Sequence, residues 1–293
     1  MPKPSLAFLL IFVCLSPFFS SCKNETVWEP LLDSELSNWD TYLSYRHKNE
    51  YNGLEPKDDE GKPLKPLGYG ENANNVFSVV QEKEELVLRI SGEIYGCIFT
   101  KREFENYHLK MKVKWGEKKW PPRLNESMDS GILYHTQGKC GVDYWRSWML
   151  SQEFQMIENS MGDYWSIANS QIDINASVVK DTNYHQFNPS ANCMAFGLGT
   201  GNPNFCQSAI HVERPKGEWN ELELICFGDK SLHLVNGQVV MALAHSRYME
   251  GNRAKPLVKG KIQLQSEAAE VFFKDIYLRP INRIPESYMQ YFK

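Results

Sequence analysis

The chain has 293 residues, 42% hydrophobic and 23% charged, a composition that suits one large globular domain or two smaller ones and excludes disorder as the main state. Lys and Arg number 32 against 36 Asp and Glu, so no basic excess is present to hold a nucleic-acid backbone, and nucleic acid is excluded as an expected partner. Aromatic residues reach 13%, which is typical of proteins that stack against sugar rings or flat ligands.

The N-terminus has the pattern of an export signal. Lys3 begins a short basic region, residues 6–19 are apolar, and two serines precede Cys22, which is typical of a bacterial lipoprotein signal peptide. The alternative is a transmembrane anchor, but the apolar stretch is shorter than the ~20 residues that span a bilayer. We therefore expect a signal peptide at 1–21, a tether at 22–27 with lipid on Cys22, and a protein of the bacterial cell envelope whose membrane partner is reached through that lipid.

The region after the signal is predicted to be mostly β-structure. Residues 23–75 are polar and rich in turn residues, which indicates one strand and a long surface loop. From Val76 onward, short runs have the length of strands and are bounded by Gly, Asn, Asp or Pro. These runs are VFSVV, ELVLRI, GCIFT, YHLKMKVKW, SGILYH, SQEFQMIE, WNELELICF, SLHLVNGQVVMAL, KIQLQS and VFFKDIYL.

Two local patterns support this interpretation. In YHLKMKVKW, apolar side chains alternate with lysines, which predicts a half-buried strand. Asn236-Gly237 lies between two apolar runs and predicts a tight hairpin.

Helical periodicity and repeats of 20–50 residues are lacking, so we expect an all-β fold, a single antiparallel β-sandwich with long loops. Residues 116–131 and 159–218 are predicted to be irregular, either binding loops or surface loops with satellite aromatic packing.

Five cysteines follow Cys22, an odd number, so at least one is expected to be unpaired. Cys97 and Cys226 lie in apolar strand-like runs and are predicted to be buried thiols. Cys193 and Cys206 lie in a loop-rich segment and are candidates for a disulfide. The alternative is that both are free thiols.

The strand SQEFQMIE carries the first candidate site. Alternation places Glu153 and Gln155 on one face and Phe154 and Met156 on the other, which a sandwich would bury. Aromatic residues flank this strand on both sides. A carboxylate, an amide and aromatic rings together indicate carbohydrate binding, and the alternative is a solvated sheet face with incidental aromatics. The flanking aromatics are Tyr144, Trp145, Trp148, Tyr164 and Trp165.

Two other strands carry polar candidates. His135 ends the strand DSGILYH, and its side chain is predicted to lie on the face opposite to Ile132 and Tyr134. It is either a general acid or base near neutral pH or a structural histidine. In KIQLQSE, the side chains of Gln263, Gln265 and Glu267 alternate, so they are predicted either to face the same surface as Glu153 or to form an ordinary polar outer face.

The cofactor is left open by the sequence. Enough donors are present for a divalent cation, but they lack compact ligand spacing. GxSxG, P-loop and strand-flanked GxGxxG motifs are missing, which disfavours serine hydrolases, NTPases and dehydrogenases. The candidate donors are Asp129, His135, Glu153, Glu158, Asp163 and Glu267.

Six motifs occur in a recognisable order: LLDSELSNWDTY, SGEIYGCIFTKREFENYHLKMKVKW, DSGILYH, SQEFQMIENSMGDYW, GEWNELELICFGDKSLHLVNGQVV and KIQLQSEAAEVFFKDIYLRPI. Together they resemble the 3-keto-disaccharide hydrolase domain family of bacterial lipoproteins, over about residues 28–281, with a short tail at 282–293. The resemblance implies a concanavalin-like, jelly-roll β-sandwich.

The resemblance also implies a chemistry. A ketone at the third sugar carbon acidifies the C2 proton, so the C1 bond is cleaved by elimination and water then adds. Glu153 and His135 are then expected to transfer protons, while the other candidates bind the substrate. The expected binding residues are Arg146, Trp148, Gln155, Asp163, Tyr164, Trp165, Gln265 and Glu267. The competing hypothesis is a non-catalytic carbohydrate-binding lipoprotein with the same fold.

Overall fold

The computed structural model describes residue 1 and residues 27–51, 53–143 and 146–292. The predicted signal peptide, Cys22 and two of the flanking aromatics, Tyr144 and Trp145, lie outside these residues. Within the described part of the chain, no helix is both long enough and apolar enough to cross a membrane.

The described residues form twenty β-strands and two short 3-10 segments. The 3-10 segments are Ala73–Asn75 and Glu286–Phe292. The strands are β1 Glu29–Pro30, β2 Trp39–Leu43, β3 Gly68–Tyr69, β4 Phe77–Glu82, β5 Glu85–Ile90, β6 Gly96–Thr100, β7 Tyr107–Lys119, β8 Asp129–Gln137, β9 Leu150–Ile157, β10 Ser160–Ile167, β11 Ser170–Val178, β12 His185–Phe187, β13 Cys193–Gly197, β14 Phe205–Cys206, β15 Asn220–Phe227, β16 Lys230–Val235, β17 Gln238–Glu250, β18 Arg253–Pro256, β19 Lys261–Ser266 and β20 Ala269–Pro280.

These strands form two antiparallel sheets, as expected of a jelly-roll sandwich. The large sheet has the order β12-β11-β17-β16-β15-β7-β20-β5-β4, with β1, β13 and β18 paired at its sides. The small sheet has the order β14-β10-β9-β8-β19-β6-β2-β3. The single all-β domain predicted from the sequence is therefore confirmed.

The main core lies between the two sheets. On β7, Leu109, Met111, Val113 and Trp115 are buried while the intervening lysines are partly exposed, which confirms the predicted half-buried strand. The small sheet contributes apolar side chains from β8, β9 and β19 to the same core. One face of the small sheet thus packs in the core, and its other face is available to form a binding or active site.

The predicted hairpin is also confirmed. Asn236 and Gly237 connect β16 to β17, and both have positive φ, at 49° and 78°. Positive φ at both positions matches the twist of the flanking strands, which is why Asn-Gly is favoured there.

The segment 159–218 was expected to be irregular, and this expectation is wrong. It contains β10 to β14, of which β10 and β11 have eight and nine residues. A bulge between Met161 and Asp163 breaks the apolar alternation of β10, so the pattern in the sequence does not read as a strand.

The candidate disulfide is likewise not formed, since Cys193 and Cys206 are both free thiols. Cys193 begins β13 in the large sheet, whereas Cys206 ends β14 in the small sheet and is buried. Cys97 and Cys226 are buried thiols, as expected.

The last residues of the chain pack onto the domain. Ile284 is buried in a second apolar cluster, and the 3-10 helix Glu286–Phe292 places Tyr288, Tyr291 and Phe292 against it. This cluster includes Ile225 and Leu232 of the large sheet.

Candidate active site

A cleft of about 1480 Å³ opens on the face of the small sheet that points away from the main core. Its floor is built by neighbouring side chains of β10, β9, β8 and β19, because residues paired across antiparallel strands point to the same face. One row across the floor joins Trp165, Glu153, Leu133 and Gln263, and the next joins Asp163, Gln155 and Gly131, with Gln265 beside Gly131.

Alternation along β9 positions the central carboxyl group. Glu153 and Gln155 line the cleft, while Phe154 and Met156 belong to the core, as the sequence predicts. Gln265 and Glu267 also line the cleft, so the prediction that KIQLQSE faces the same surface holds for these two residues. Gln263 is fully buried beside them in the floor.

Gly131 makes room for the carboxyl group of Glu153. A Cβ at this position would lie 2.1 Å from Oε1 of Glu153 and 2.7 Å from Oε1 of Gln265. No side chain fits between these two groups, so the glycine allows both to lie across β8.

Glu153 is a buried carboxyl group with a strongly raised pKa. It is 2% exposed, and its Oε1 has no hydrogen-bond partner. Burial raises the pKa of Glu153 well above its usual range, and the nearby carboxyl groups of Glu267 and Asp129 raise it further, against an opposing interaction with Gln265. The protonated form of Glu153 is therefore favoured over a wider pH range than that of an exposed glutamate.

Arg123 joins two other carboxyl groups at the end of the floor. Its Nη2 lies 2.6 Å from Oδ2 of Asp129, and its Nη1 lies 3.4 Å from Oε1 of Glu267. Gln155 donates its Nε2 hydrogen bond to Oδ1 of Asp129 at 2.8 Å. Arg123 thus connects Asp129 and Glu267, and Gln155 joins them through its hydrogen bond to Asp129.

These contacts set the charge of Asp129. Burial raises the pKa of Asp129 to about 6, and Arg123 and Gln155 limit the increase. Burial and Asp129 raise the pKa of Glu267 well above its usual range, with Arg123 opposing. At neutral pH the cleft therefore contains an ionised Asp129 close to Glu153, whose pKa is also raised by burial.

The described residues include no group of three or more His, Cys, Asp or Glu side chains arranged to hold a metal ion. Between Asp129 and Glu267, the guanidinium of Arg123 provides the positive charge.

Three aromatic rings form one end of the cleft. Trp165 is 40% exposed, and its ring lies 5.4 Å from that of Phe205 on β14. Tyr184 meets Phe205 edge to face at 6.4 Å. Exposed rings of this kind offer flat apolar surfaces to a sugar or another planar group. Trp165 alone of the three was among the expected binding residues.

Asp163 lines the cleft but is engaged with protein groups. Its Oδ2 accepts a hydrogen bond from Ser160 at 2.8 Å, and its Oδ1 accepts one from the backbone N–H of Ser208 at 2.7 Å. Burial raises the pKa of Asp163, and these donors oppose the increase. Its clearest role is to hold the segment after β14 against β10, next to the aromatic rings.

His135 does not join the site, which corrects the expectation that it transfers protons there. It has a φ of 55° at a bulge between Tyr134 and Gln137, and its ring contacts the core residue Tyr107 with 6.1 Å between centroids. Burial lowers the pKa of His135 to about 3, so the ring is neutral. The bulge turns the side chain away from the cleft, because it shifts the alternation of β8 by one residue.

Three other expected binding residues lie differently. Tyr164 is fully buried in the second apolar cluster and donates a hydrogen bond to Gln152 at 2.7 Å, so it offers no stacking surface. Arg146 is exposed and does not line the cleft. Trp148 lines it but is only 2% exposed, with its Nε1 donating to the backbone oxygen of Gly96, and so forms part of the wall.

Sequence reasoning missed the roles of Arg123, Phe205 and Tyr184. Arg123 comes from the turn between β7 and β8, and its partners are 6 and 144 residues away in the chain. Phe205 lies on a two-residue strand. Asp129 was named only as a cation donor, although extending the alternation of DSGILYH backward from Gly131 places it on the cleft face.

A cleft that combines carboxyl and amide groups with exposed aromatic rings, on one sheet of a jelly-roll sandwich, defines a carbohydrate-active protein as the class. The chain belongs to the 3-keto-alpha-glucoside-1,2-lyase-like domain family, whose sequence profile matches residues 27–279. This family membership supports the carbohydrate-active assignment independently of the cleft.

Solved structures show partial likeness. A putative glycosyl hydrolase from Parabacteroides distasonis ATCC 8503 is 16% identical, with 87% of this chain and 100% of that chain covered and a TM-score of 0.47. A β-glucanase from Bacillus licheniformis is 8% identical, with 88% and 98% covered and a TM-score of 0.38. A search of curated proteins gave no significant match.

Proposed function

We propose that this chain cleaves 3-keto-glycosides by removing the C2 proton, eliminating the leaving group at C1 and then adding water. The ketone at C3 makes the C2 proton acidic, because the resulting carbanion is stabilised as an enolate. Such a reaction needs a base for C2, hydrogen-bond donors or positive charge for the enolate oxygen, and an acid for the leaving group. The described residues of the cleft offer candidates for all three.

The observation that carries the proposal is the state of Glu153. Burial raises the pKa of its carboxyl group well above the usual range, its Oε1 has no hydrogen-bond partner, and it lies directly opposite Trp165 on the adjacent strand. A carboxyl group with a raised pKa beside a sugar-stacking ring is suited to hold a proton and donate it to the oxygen that leaves C1.

Asp129 is the proposed base in place of His135. With a pKa of about 6 it is ionised at neutral pH, and it lies on the same floor. Arg123 and the amide groups of Gln155 and Gln265 supply the charge and hydrogen bonds that would stabilise an enolate oxygen. In this proposal the two carboxyl groups divide the roles between them, with Glu153 as the acid and Asp129 as the base.

The test is to incubate the purified protein with a 3-keto-glucoside and with its unoxidised parent, with and without a chelator, and to follow aglycone release by mass spectrometry. We expect release from the ketone alone. Glu153→Gln is expected to lower turnover by roughly 100-fold or more, while Glu221→Gln, on the opposite sheet, retains it. Retained turnover in the Glu153 variant would contradict the assignment, and loss with chelator would add a metal ion to the site.

The exposed rings of Trp165 and Tyr184, both in contact with the half-buried ring of Phe205, favour a second candidate, a glycan-binding protein without catalysis. In that case neither substrate is cleaved by the folded wild-type protein, yet glycan is retained on it. Trp165→Ala then weakens glycan retention. The Glu153→Gln variant, like the wild type, releases no product. Aglycone release by the wild-type protein would exclude this candidate.

We also propose that residues 1–21 are removed and that Cys22 carries a lipid that holds the protein in the bacterial cell envelope. The support is the basic, apolar and small-residue pattern ending at Cys22. Labelled fatty acid should be incorporated by the wild-type chain and not by Cys22→Ala. Equal labelling of the two would contradict the proposal.

A further inference from the structure

Two thiols meet at the edge of the cleft floor. The Sγ atoms of Cys97 and Cys140 lie 3.7 Å apart, which is the closest approach of two thiols among the described residues. Cys97 is on β6 and fully buried, whereas Cys140 is partly exposed in the loop between β8 and β9. A buried thiol beside an accessible one is the arrangement in which a disulfide forms by exchange from the outside.

The position of Cys97 connects this pair to the site. Cys97 is the direct register partner of Gln265 on β19, and Gln265 lies against Glu153. A disulfide at Cys97 would therefore be attached to the strand position directly beside Gln265, a residue of the cleft floor.

Cys140 belongs to the loop that brings Asp143 and Trp148 to the cleft. The second half of this loop is held by hydrogen bonds from the backbone N–H groups of Ser147 and Trp148 to Oδ1 of Asp143, at 2.9 and 3.0 Å. The first half is held by the hydroxyl of Tyr69, which accepts from the N–H of Cys140 at 2.7 Å. A bond from Cys140 to Cys97 would fix this first half covalently to the sheet.

We propose that Cys97 and Cys140 form a reversible disulfide that ties the β8–β9 loop to the cleft floor. The oxidant is a small-molecule disulfide. The thiolate of Cys140 attacks one of its sulfurs, forms a mixed disulfide and releases one thiol. The thiolate of Cys97 then attacks Sγ of Cys140 and releases the second thiol, so two S–H bonds are lost, one S–S bond forms and the oxidant is reduced to two thiols.

The order of these steps follows from the surroundings of the two sulfurs. Cys97 is enclosed by the apolar cluster that includes Leu133 and Trp148, and burial raises the pKa of its thiol. Cys140 is the accessible partner and reacts first. The final bond of about 2.05 Å requires the sulfurs to approach by about 1.7 Å, a shift that the loop residue Cys140 can supply.

The test uses the full chain, reduced and then exposed to oxidised glutathione, with the remaining thiols alkylated before digestion with trypsin. Cleavage after Arg89, Lys101, Lys139 and Arg146 gives the peptides 90–101 and 140–146. We expect them to appear linked and two hydrogens lighter than their sum. The linked species is expected in Cys193→Ser, which removes the most exposed thiol of the described residues, and absent in Cys140→Ser.

Thermal unfolding provides a second measurement. Oxidation should raise the melting temperature of the wild type and of Cys193→Ser by about 5–10 °C, and should leave Cys140→Ser unchanged. The proposal is overturned if both cysteines remain alkylated after oxidation, if Cys140 carries only glutathione, or if it links to Cys193. Because Cys140 is partly exposed, its substitution by serine tests the bond without opening the buried cluster around Cys97.

Discussion

Trp165 and Glu153 face each other as direct register partners on β10 and β9. Side chains in such a pair have Cβ atoms about 5 Å apart. A ring stacked on the exposed face of Trp165 therefore lies next to the carboxyl group of Glu153. This pairing joins the binding surface to the acid through the register of two strands.

Trp165→Ala should weaken binding of a keto-glycoside or glycan by about 10-fold, because a stacking surface worth roughly 1.5 kcal/mol is lost. Isothermal titration calorimetry measures the change. Trp219→Ala is the matched control, since Trp219 packs against Lys114 and Lys274 on the large sheet. Equal affinity in the wild type and the Trp165 variant would show that Trp165 does not contribute to binding.

The pH dependence of turnover should have an acid limb near pH 6, because the proposed base Asp129 must be ionised and its pKa is about 6. Arg123 lowers that pKa, so Arg123→Gln should move the limb to higher pH as well as reduce the rate. Arg214→Gln, outside the cleft, should leave the limb in place. If the limb stays near pH 6 in the Arg123 variant, it does not report the ionisation of Asp129.

Gly131→Ala should displace Glu153, since the added Cβ would lie 2.1 Å from Oε1. We expect turnover to fall by roughly 100-fold and the melting temperature to fall by several degrees as the floor repacks. The double variant Gly131→Ala with Glu153→Asp has a shorter acid and should regain part of the melting temperature without regaining activity. Full activity in Gly131→Ala would contradict the packing argument.

Glu153→Gln should be more heat-stable than the wild type at alkaline pH. The folded-state pKa of Glu153 is raised, so its contribution to stability is complete below the unfolded value of 4.5 and is lost as the pH rises toward the folded pKa. The loss is up to about 1.4 kcal/mol per pH unit, and glutamine does not incur it. The gap in melting temperature between variant and wild type should widen from pH 5 to pH 8, and a constant gap would show that the carboxyl group is already ionised.

The parts of the fold and site that follow from short-range alternation could be predicted. Glu153, Gln155 and Gln265 were placed on one face because each lies in a regular strand whose opposite face is apolar. The hairpin at Asn236-Gly237 was predictable because its backbone conformation is favoured by those two residues.

What failed was prediction across irregular pairing. The bulge at His135 is stabilised by tertiary packing against Tyr107, so strict alternation assigned the wrong face. Arg123 reaches the site through contacts with Asp129 and Glu267, and the proximity of those residues depends on how β8 and β19 pair. The short strand β14, which carries Phe205, is defined only by its pairing with β10.

The C-terminal 3-10 helix limits where the gene can be truncated for expression. The family match ends at residue 279 and the last strand ends at Pro280, yet Ile284, Tyr288 and Phe292 cover the second apolar cluster. A protein cut at residue 281 would leave this apolar surface open to water and prone to self-association. Boundaries for recombinant production should extend through Phe292, with any affinity tag placed at the other end of the domain.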